Sequence, residues 1–316
     1  MKSAVFLVDS GPGIGLGHLR RSGILLDAMT HAGFECRLVC PDVGAAAALG
    51  RTAAPMPAAI EDVPSADVVI CDSYSIRSEH LSRLRRRPSV LLVFDDMADR
   101  AINADLVLNH NLYGARVDYA GLTDAAILRG PECTLVAPDV LSARMRRSAH
   151  SGNGVVISFG GTDDGARAVE LLRWWGSAEG PCHIVVPPGV SPSESALGAA
   201  EENPGRVILQ RGPDMPALLA DARLYIGGAG MTALEAMVVG LDMVLFVLVD
   251  NQRLNAEAFG RHGHPVVQGF QPKRGAEIAA ALLRQPFQQH ASVVDGEGAT
   301  RVVRAIEDLL RAKRPA

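Results

Sequence analysis

Short apolar runs recur along this chain, and most of them end in an acid, a glycine or a proline before a segment of helical period begins. "SAVFLVD" opens the series at residues 3–9. "ECRLVCP" (35–41), "DVVICD" (67–72), "VLLVFDD" (90–96) and "ADLVLNH" (104–110) continue it. Runs this short, with no polar alternation, read as strands buried on both faces of a parallel sheet. Between the first two, Leu19, Ile24, Leu25, Ala28 and Met29 recur at helical spacing, and Gly33 is placed to end that helix. A further helix is expected from about residue 77. Strands alternating with helices make βαβ units and a doubly wound α/β fold.

The rhythm breaks at residues 137–153, "APDVLSARMRRSAHSGN", a polar and basic stretch that reads as a linker. It then restarts with "GVVISFGGTDD", followed by "CHIVVPP", "RVILQ", "ARLYIGG", "MVLFVLVD" and "PVVQG", and a last helix is expected near 298–312. At 316 residues the chain can bury two cores. The expected architecture is two Rossmann-like domains, 1–145 and 152–316. Open α/β sheets bind ligands beyond the carboxyl ends of their strands, so the two are expected to face each other across a cleft.

Composition narrows the partners. A net charge of −4 with 21% charged residues gives no footprint for nucleic acid or an anionic membrane. The basic cluster Arg83, Arg85, Arg86 and Arg87 reads as a helix end. Five cysteines without a C-x-x-C, three of them in apolar runs, suit reduced thiols in a cytoplasmic protein. No apolar stretch has the length of a signal peptide core or a membrane span. Metal-ligand patterns are lacking too, so neither metal nor cofactor is expected. His262 and His264 read as solvent-facing, and Asp95 and Asp96 as strand-end carboxylates that cap or orient neighbours.

The glycine loops carry the candidate chemistry. In "DSGPGIGLGHLRRSG" (9–23), Leu16, His18 and Arg20 stand where a dinucleotide fingerprint needs glycine, and no Walker lysine follows. The loop can still approach a ligand closely. His18 falls at the start of the helix, where the dipole disfavours an imidazolium. It is either a general base or a residue that bonds the turn backbone. Arg20 and Arg21 read as surface or inter-domain residues. In "ISFGGTDDGA" (157–166), Gly160 and Gly161 end a strand, and Thr162 or Asp163 can cap the next helix. In "YIGGAGMTALEA" (225–236), Gly230 precedes Met231 and Thr232, whose backbone N–H groups would make an anion site at a helix start. Glu235, one turn further on, either reaches a nucleotide's sugar diol or is a surface glutamate. Asn251 and Gln252, in "VDNQRLNA", either cap a helix or orient a ligand.

Taken together, "DSGPGIGLGHLRRS", "CDSYSI", "VFDDMADRAINADLVLNHN", "ISFGGTD", "GAGMTALEAMVVG" and "DNQRLNA" resemble, in order, segments of the UDP-2,4-diacetamido-2,4,6-trideoxy-β-L-altropyranose hydrolases of pseudaminic acid biosynthesis. The resemblance implies a GT-B architecture and a UDP-sugar substrate held mainly by the second domain. It also implies metal-independent attack of water at the anomeric carbon, with inversion and release of UDP. His18 matches that family's catalytic histidine and Asn251 its active-site asparagine. Gly230, Met231, Thr232 and Glu235 would hold pyrophosphate and ribose, with Gly15, Gly17, Gly161 and Gln252 also on the substrate. Asp72, Tyr74 and Asp95 would line the sugar side. Ser10, Gly11, Pro12, Cys133, Ala137 and Val140 depart from the family pattern. The C-terminal segments alone also fit inverting UDP-sugar glycosyltransferases, in which His18 would deprotonate an acceptor hydroxyl. A nucleotide-sugar binder with a structural His18 is the third possibility.

Overall fold

The computed structural model describes residues 2–11, 13–87, 89–147, 152–175, 180–287 and 289–313. It divides into two units, Met1–Val136 with Val294–Ala316, and Ala137–Val293.

In the first unit the chain runs β1 (Lys2–Val8), α1 (Gly17–His31), β2 (Phe34–Cys40), α2 (Val43–Ala48), β3 (Ala53–Pro55), β4 (Val68–Asp72), α3 (Ser78–Leu84), β5 (Val90–Phe94), β6 (Leu106–Asn109) and β7 (Ala126–Arg129). The strands form one sheet in the order β3-β2-β1-β4-β5-β6-β7. Every pairing is parallel. Successive side chains of a strand point to opposite faces, so β1 feeds two cores. Phe6 and Val8 pack with Leu19, Leu25 and Met29 of α1, while Val5 and Leu7 pack with Leu81 and Leu84 of α3. Gly33 ends α1 with a positive φ of 86°. The three-residue β3 and the β7 strand lie at the two edges of the sheet and were not expected from the sequence.

The second unit runs α4 (Pro138–Arg147), β8 (Gly154–Ser158), α5 (Ala166–Trp174), β9 (Cys182–Val186), α6 (Glu194–Glu202), β10 (Val207–Arg211), α7 (Met215–Asp221), β11 (Ala222–Gly228), α8 (Met231–Val239), β12 (Asp242–Val247), α9 (Arg253–Arg261), β13 (Val266–Gln268) and α10 (Pro272–Leu283). Its sheet order is β10-β9-β8-β11-β12-β13, again all parallel. Val155, Ile157, Leu224, Ile226, Val244 and Phe246 share a core with α5 and α10.

Three expectations are corrected. The stretch read as a linker is the helix α4 over Pro138–Arg147, begun by a proline at its first position, while residues 148–151 lie outside the described residues. Arg147 ties α4 into the second unit by donating from Nη1 to the Ala220 carbonyl at 3.0 Å. The unit boundary therefore falls at Val136/Ala137. The final helix, α11 (Gly298–Ala312), does not extend the second unit but returns to the first. Val302, Ile306 and Leu310, four residues apart, form one stripe that enters the core beside α1. His264, expected in solvent, is 4% exposed, with its ring 5.2 Å from His290 and 6.4 Å from Phe259. His262 is exposed. No helix among the described residues is long and apolar enough to cross a membrane.

Candidate active site

In the first sheet the strand order reverses between β1 and β4, the position where doubly wound folds open a ligand crevice. The loop leaving β1 turns with φ of 85° at Gly13 and 75° at Gly15, and α1 starts at Gly17 without a side-chain cap. One turn of helix then sets His18 and Arg21 on the same face. Both meet Asp72, the last residue of β4.

Asp72 is fully buried. His18 Nδ1 lies 2.6 Å from its Oδ1. Arg21 donates from Nη2 to Oδ1 at 2.6 Å and from Nε to Oδ2 at 2.8 Å, and the Ser22 hydroxyl donates to Oδ2 at 2.8 Å. Burial alone would push this carboxyl up. The Arg21 guanidinium, and then His18, outweigh burial and hold it well below the usual carboxylate range. An ionised acceptor at 2.6 Å requires a proton on His18 Nδ1, which leaves Nε2 as the basic nitrogen. Arg21 Nη2 also lies 3.1 Å from Nδ1, a donor-to-donor contact that their shared acceptor tolerates.

Arg21 is buried, contrary to its reading as a surface residue. Its Nη1 donates to both oxygens of Asp96 at 2.9 Å and faces His110 Nε2 at 3.2 Å, and its guanidinium stacks 5.1 Å from the Phe94 ring centroid. Asp96 further accepts from Asn111 Nδ2 at 2.5 Å and from the Tyr74 hydroxyl. Burial raises the Asp96 carboxyl, but the Arg21 charge, with the Tyr74 hydrogen bond, reverses that and leaves it below its ordinary value. Burial, with the Arg21 charge second, lowers His110 to about 4, so it is a neutral acceptor. The Tyr74 ring meets His18 edge-on at 4.7 Å and is 42% exposed. Burial of its hydroxyl, together with the Asp96 charge, pushes the phenol up.

Asp95 accepts from Ala98 N at 2.7 Å and from the Tyr119 hydroxyl at 3.0 Å through Oδ1. Its Oδ2 is buried without a partner among the described residues, and burial raises its pKa. Asp72 thus stands behind the histidine, and neither it nor Asp95, which is tied to Ala98 and Tyr119, is exposed. Asp96, expected as a strand-end carboxylate that orients neighbours, does so toward Arg21, Tyr74 and Asn111. Arg21, Ser22, His110 and Asn111 were not expected at the site. The three-residue spacing from His18 was the available signal for Arg21.

The other candidates gather in the second unit, at the carboxyl ends of β8, β11 and β12. Gly161 lies in the turn after β8. The expected cap is displaced, because α5 begins only at Ala166. Asp163 accepts from Gly165 N at 3.1 Å and from Arg167 Nη1 at 2.8 Å. Gly230 is the N-cap of α8, so Met231 and Thr232 open that helix, and Glu235 is half-buried one turn in. Asn251 is exposed in the short 3₁₀ turn Asp250–Gln252. Gln252 is the N-cap residue of α9 but makes no side-chain cap; its Oε1 accepts from Leu248 N at 2.9 Å, back toward the strand end. Among the described residues no group of three or more His, Cys, Asp or Glu is arranged to hold a metal ion.

No family model matches the chain. The spore coat polysaccharide biosynthesis protein SpsG of Bacillus subtilis (strain 168) is 22% identical over 263 residues, 77% of each chain. Three solved structures superpose over nearly their whole length. They are CalG4, the calicheamicin glycosyltransferase (TM-score 0.61, 14% identity, 99% of this chain and 100% of that one), the spinosyn rhamnosyltransferase SpnG complexed with thymidine diphosphate (0.59, 14%, 99% and 96%) and an S. aureus MnaA–UDP co-structure (0.61, 12%, 100% and 99%). The chain has the GT-B fold. Within that fold, the His18–Asp72 pair stands at the switch point of the first Rossmann-like domain and the Gly230–Thr232 helix start at that of the second. The hydrolase resemblance is not carried to family level by these relatives.

Proposed function

We propose that this protein acts on a nucleotide sugar and transfers its glycosyl group to a hydroxyl oxygen, with inversion and without a metal. The observation that carries the reading is the His18–Asp72 pair at 2.6 Å at the end of β1 and β4. His18 Nε2 takes the hydroxyl proton as the oxygen bonds to the anomeric carbon. The carbon–oxygen bond to the diphosphate breaks, and its electron pair leaves on the nucleoside diphosphate. Asp72 keeps the imidazole in the reactive tautomer and stabilises the imidazolium that forms. A general base of this kind is worth ~10²–10⁴-fold.

The second unit would receive the nucleotide. Backbone N–H groups at Met231 and Thr232 stabilise charge developing on the leaving diphosphate, Gly230 allows close approach, and Glu235 takes the ribose. Gly161, Asn251 and Gln252 complete that side, with Gly15, Gly17 and Tyr74 on the glycosyl side. Support comes from SpsG, a polysaccharide biosynthesis protein, and from the two glycosyltransferases of the same fold.

A second reading keeps the machinery and makes water the acceptor. The Gly15-x-Gly17-His18-x-x-Arg21 sequence, which resembles the hydrolases, favours it. Incubation with UDP- and TDP-sugars, with and without sugar or lipid hydroxyl acceptors, separates the two. Transfer releases nucleoside diphosphate only with acceptor, whereas hydrolysis releases it with none. His18→Ala should still bind UDP and lose most turnover. Turnover at the parental rate would remove His18 as the base.

A further inference from the structure

We propose that Arg21 is the positioning residue for His18, holding both Asp72 and Tyr74 against the same imidazole; this rests on His18 being the base. Arg21 uses both edges of its guanidinium. Nε and Nη2 take the Asp72 carboxylate, and Nη1 takes Asp96. Asp72 Oδ1 then pins His18 Nδ1. Asp96 holds the Tyr74 hydroxyl, and the Tyr74 ring packs on the His18 ring at 4.7 Å. Two restraints on the histidine, one on a ring nitrogen and one on the ring itself, trace to one buried cation. A lysine is a point charge and cannot form this fork.

A buried ion network is costly compared with apolar packing, so its presence calls for a role beyond stability. The charges suggest one. The groups bonded directly to Arg21 carry two negative charges, on Asp72 and Asp96, against one positive. His110 adds none, because it is neutral. The set is balanced once His18 has accepted a proton, which is the state the transfer creates. Further ionisable neighbours are Asp9 after β1, Cys71 beside Asp72 on β4, Asp95 and Arg100 after β5, and Tyr113, whose hydroxyl donates to the Asp96 carbonyl. Asp9 is committed to the Ser73 hydroxyl and the Tyr74 N–H at 2.7 Å each. Arg100 lies 3.6 Å from Asp99.

The test needs no substrate in its first arm. In ¹⁵N-histidine spectra of the full chain, assigned with His18→Gln, the parent should show His18 as the Nδ1–H tautomer with a low-field proton. Arg21→Lys keeps the charge and loses the fork. It should melt as a folded protein, lose that low-field signal and shift His18 toward a tautomer mixture. If Arg21→Lys fails to fold, Asp96→Asn, which leaves Arg21 in place, should broaden the same signal. In the second arm, kcat for nucleoside diphosphate release should fall about 10- to 100-fold with KM little changed. An unchanged low-field Nδ1–H signal in the folded variants would overturn the positioning role, whatever His18 does. Loss of the signal with parental turnover would uphold positioning and refute the base.

Discussion

His264 offers a quantitative test of buried histidine energetics in the second unit. The side chain is 4% exposed and packs against His290 and Phe259. Burial first, then the neighbouring His290, lowers its pKa from 6.5 to about 4. The folded value is depressed, so the unfolded chain binds more protons between pH 4 and 6.5, and stability must fall as pH falls through that window. With those two values the linkage integral gives a loss of about 2 kcal/mol between pH 7 and pH 5 from this one group. Both tryptophans, Trp174 and Trp175, lie in the second unit, so urea unfolding followed by their fluorescence reports on the right part of the molecule. Asp163 works in the opposite sense, since burial raises its carboxyl, and His183, also lowered by burial, adds a loss of the same sign as His264. The comparison is therefore between parent and His264→Gln. The variant should show about 2 kcal/mol less pH dependence between pH 7 and 5, whatever constant cost it carries. Equal pH dependence in both proteins would refute the assignment.

Asp72→Asn should leave UDP affinity, read by calorimetry, unchanged while turnover falls about 10²–10⁴-fold, because an amide cannot hold the Nδ1–H tautomer and bind Arg21 as a carboxylate does. Its stability should fall by about 3–5 kcal/mol in denaturant titration, since Arg21 stays buried with one anion fewer. Glu235→Ala should weaken UDP binding more than it slows the bound complex, and an unchanged dissociation constant would remove Glu235 from the nucleotide site. Ile306→Ala should cost about 2–5 kcal/mol and be felt as faster amide exchange in α1, the helix its side chain packs beside. Activity should survive prolonged EDTA treatment, and its loss with recovery on added Mg²⁺ would contradict a metal-independent transfer.

Much of the fold is legible in the chain because parallel strands buried on both faces are apolar without interruption. β1, β4, β5, β8, β11 and β12 all stand where their apolar runs predict them. The edge strands β3 and β7 are short and half-exposed, so they leave little pattern to read. His264 looked solvent-facing because the residue covering it, His290, arrives 26 positions later on the segment leading out of the second unit. The helix α11 was legible as a helix, but its unit was not, since an amphipathic stripe does not say which core it will meet.

The site divides in the same way. The local order of residues 9–23 by itself determined a glycine turn, a helix start, and a histidine one turn from an arginine, because helical spacing alone sets which side chains share a face. Only the tertiary structure decided what that face meets. Arg21 finds its carboxylates 51 and 75 residues away, and it does so because the sheet places β4 beside β1 and β5 beside β4. Strand order is a long-range property of the whole domain, and no single stretch of the chain carries it.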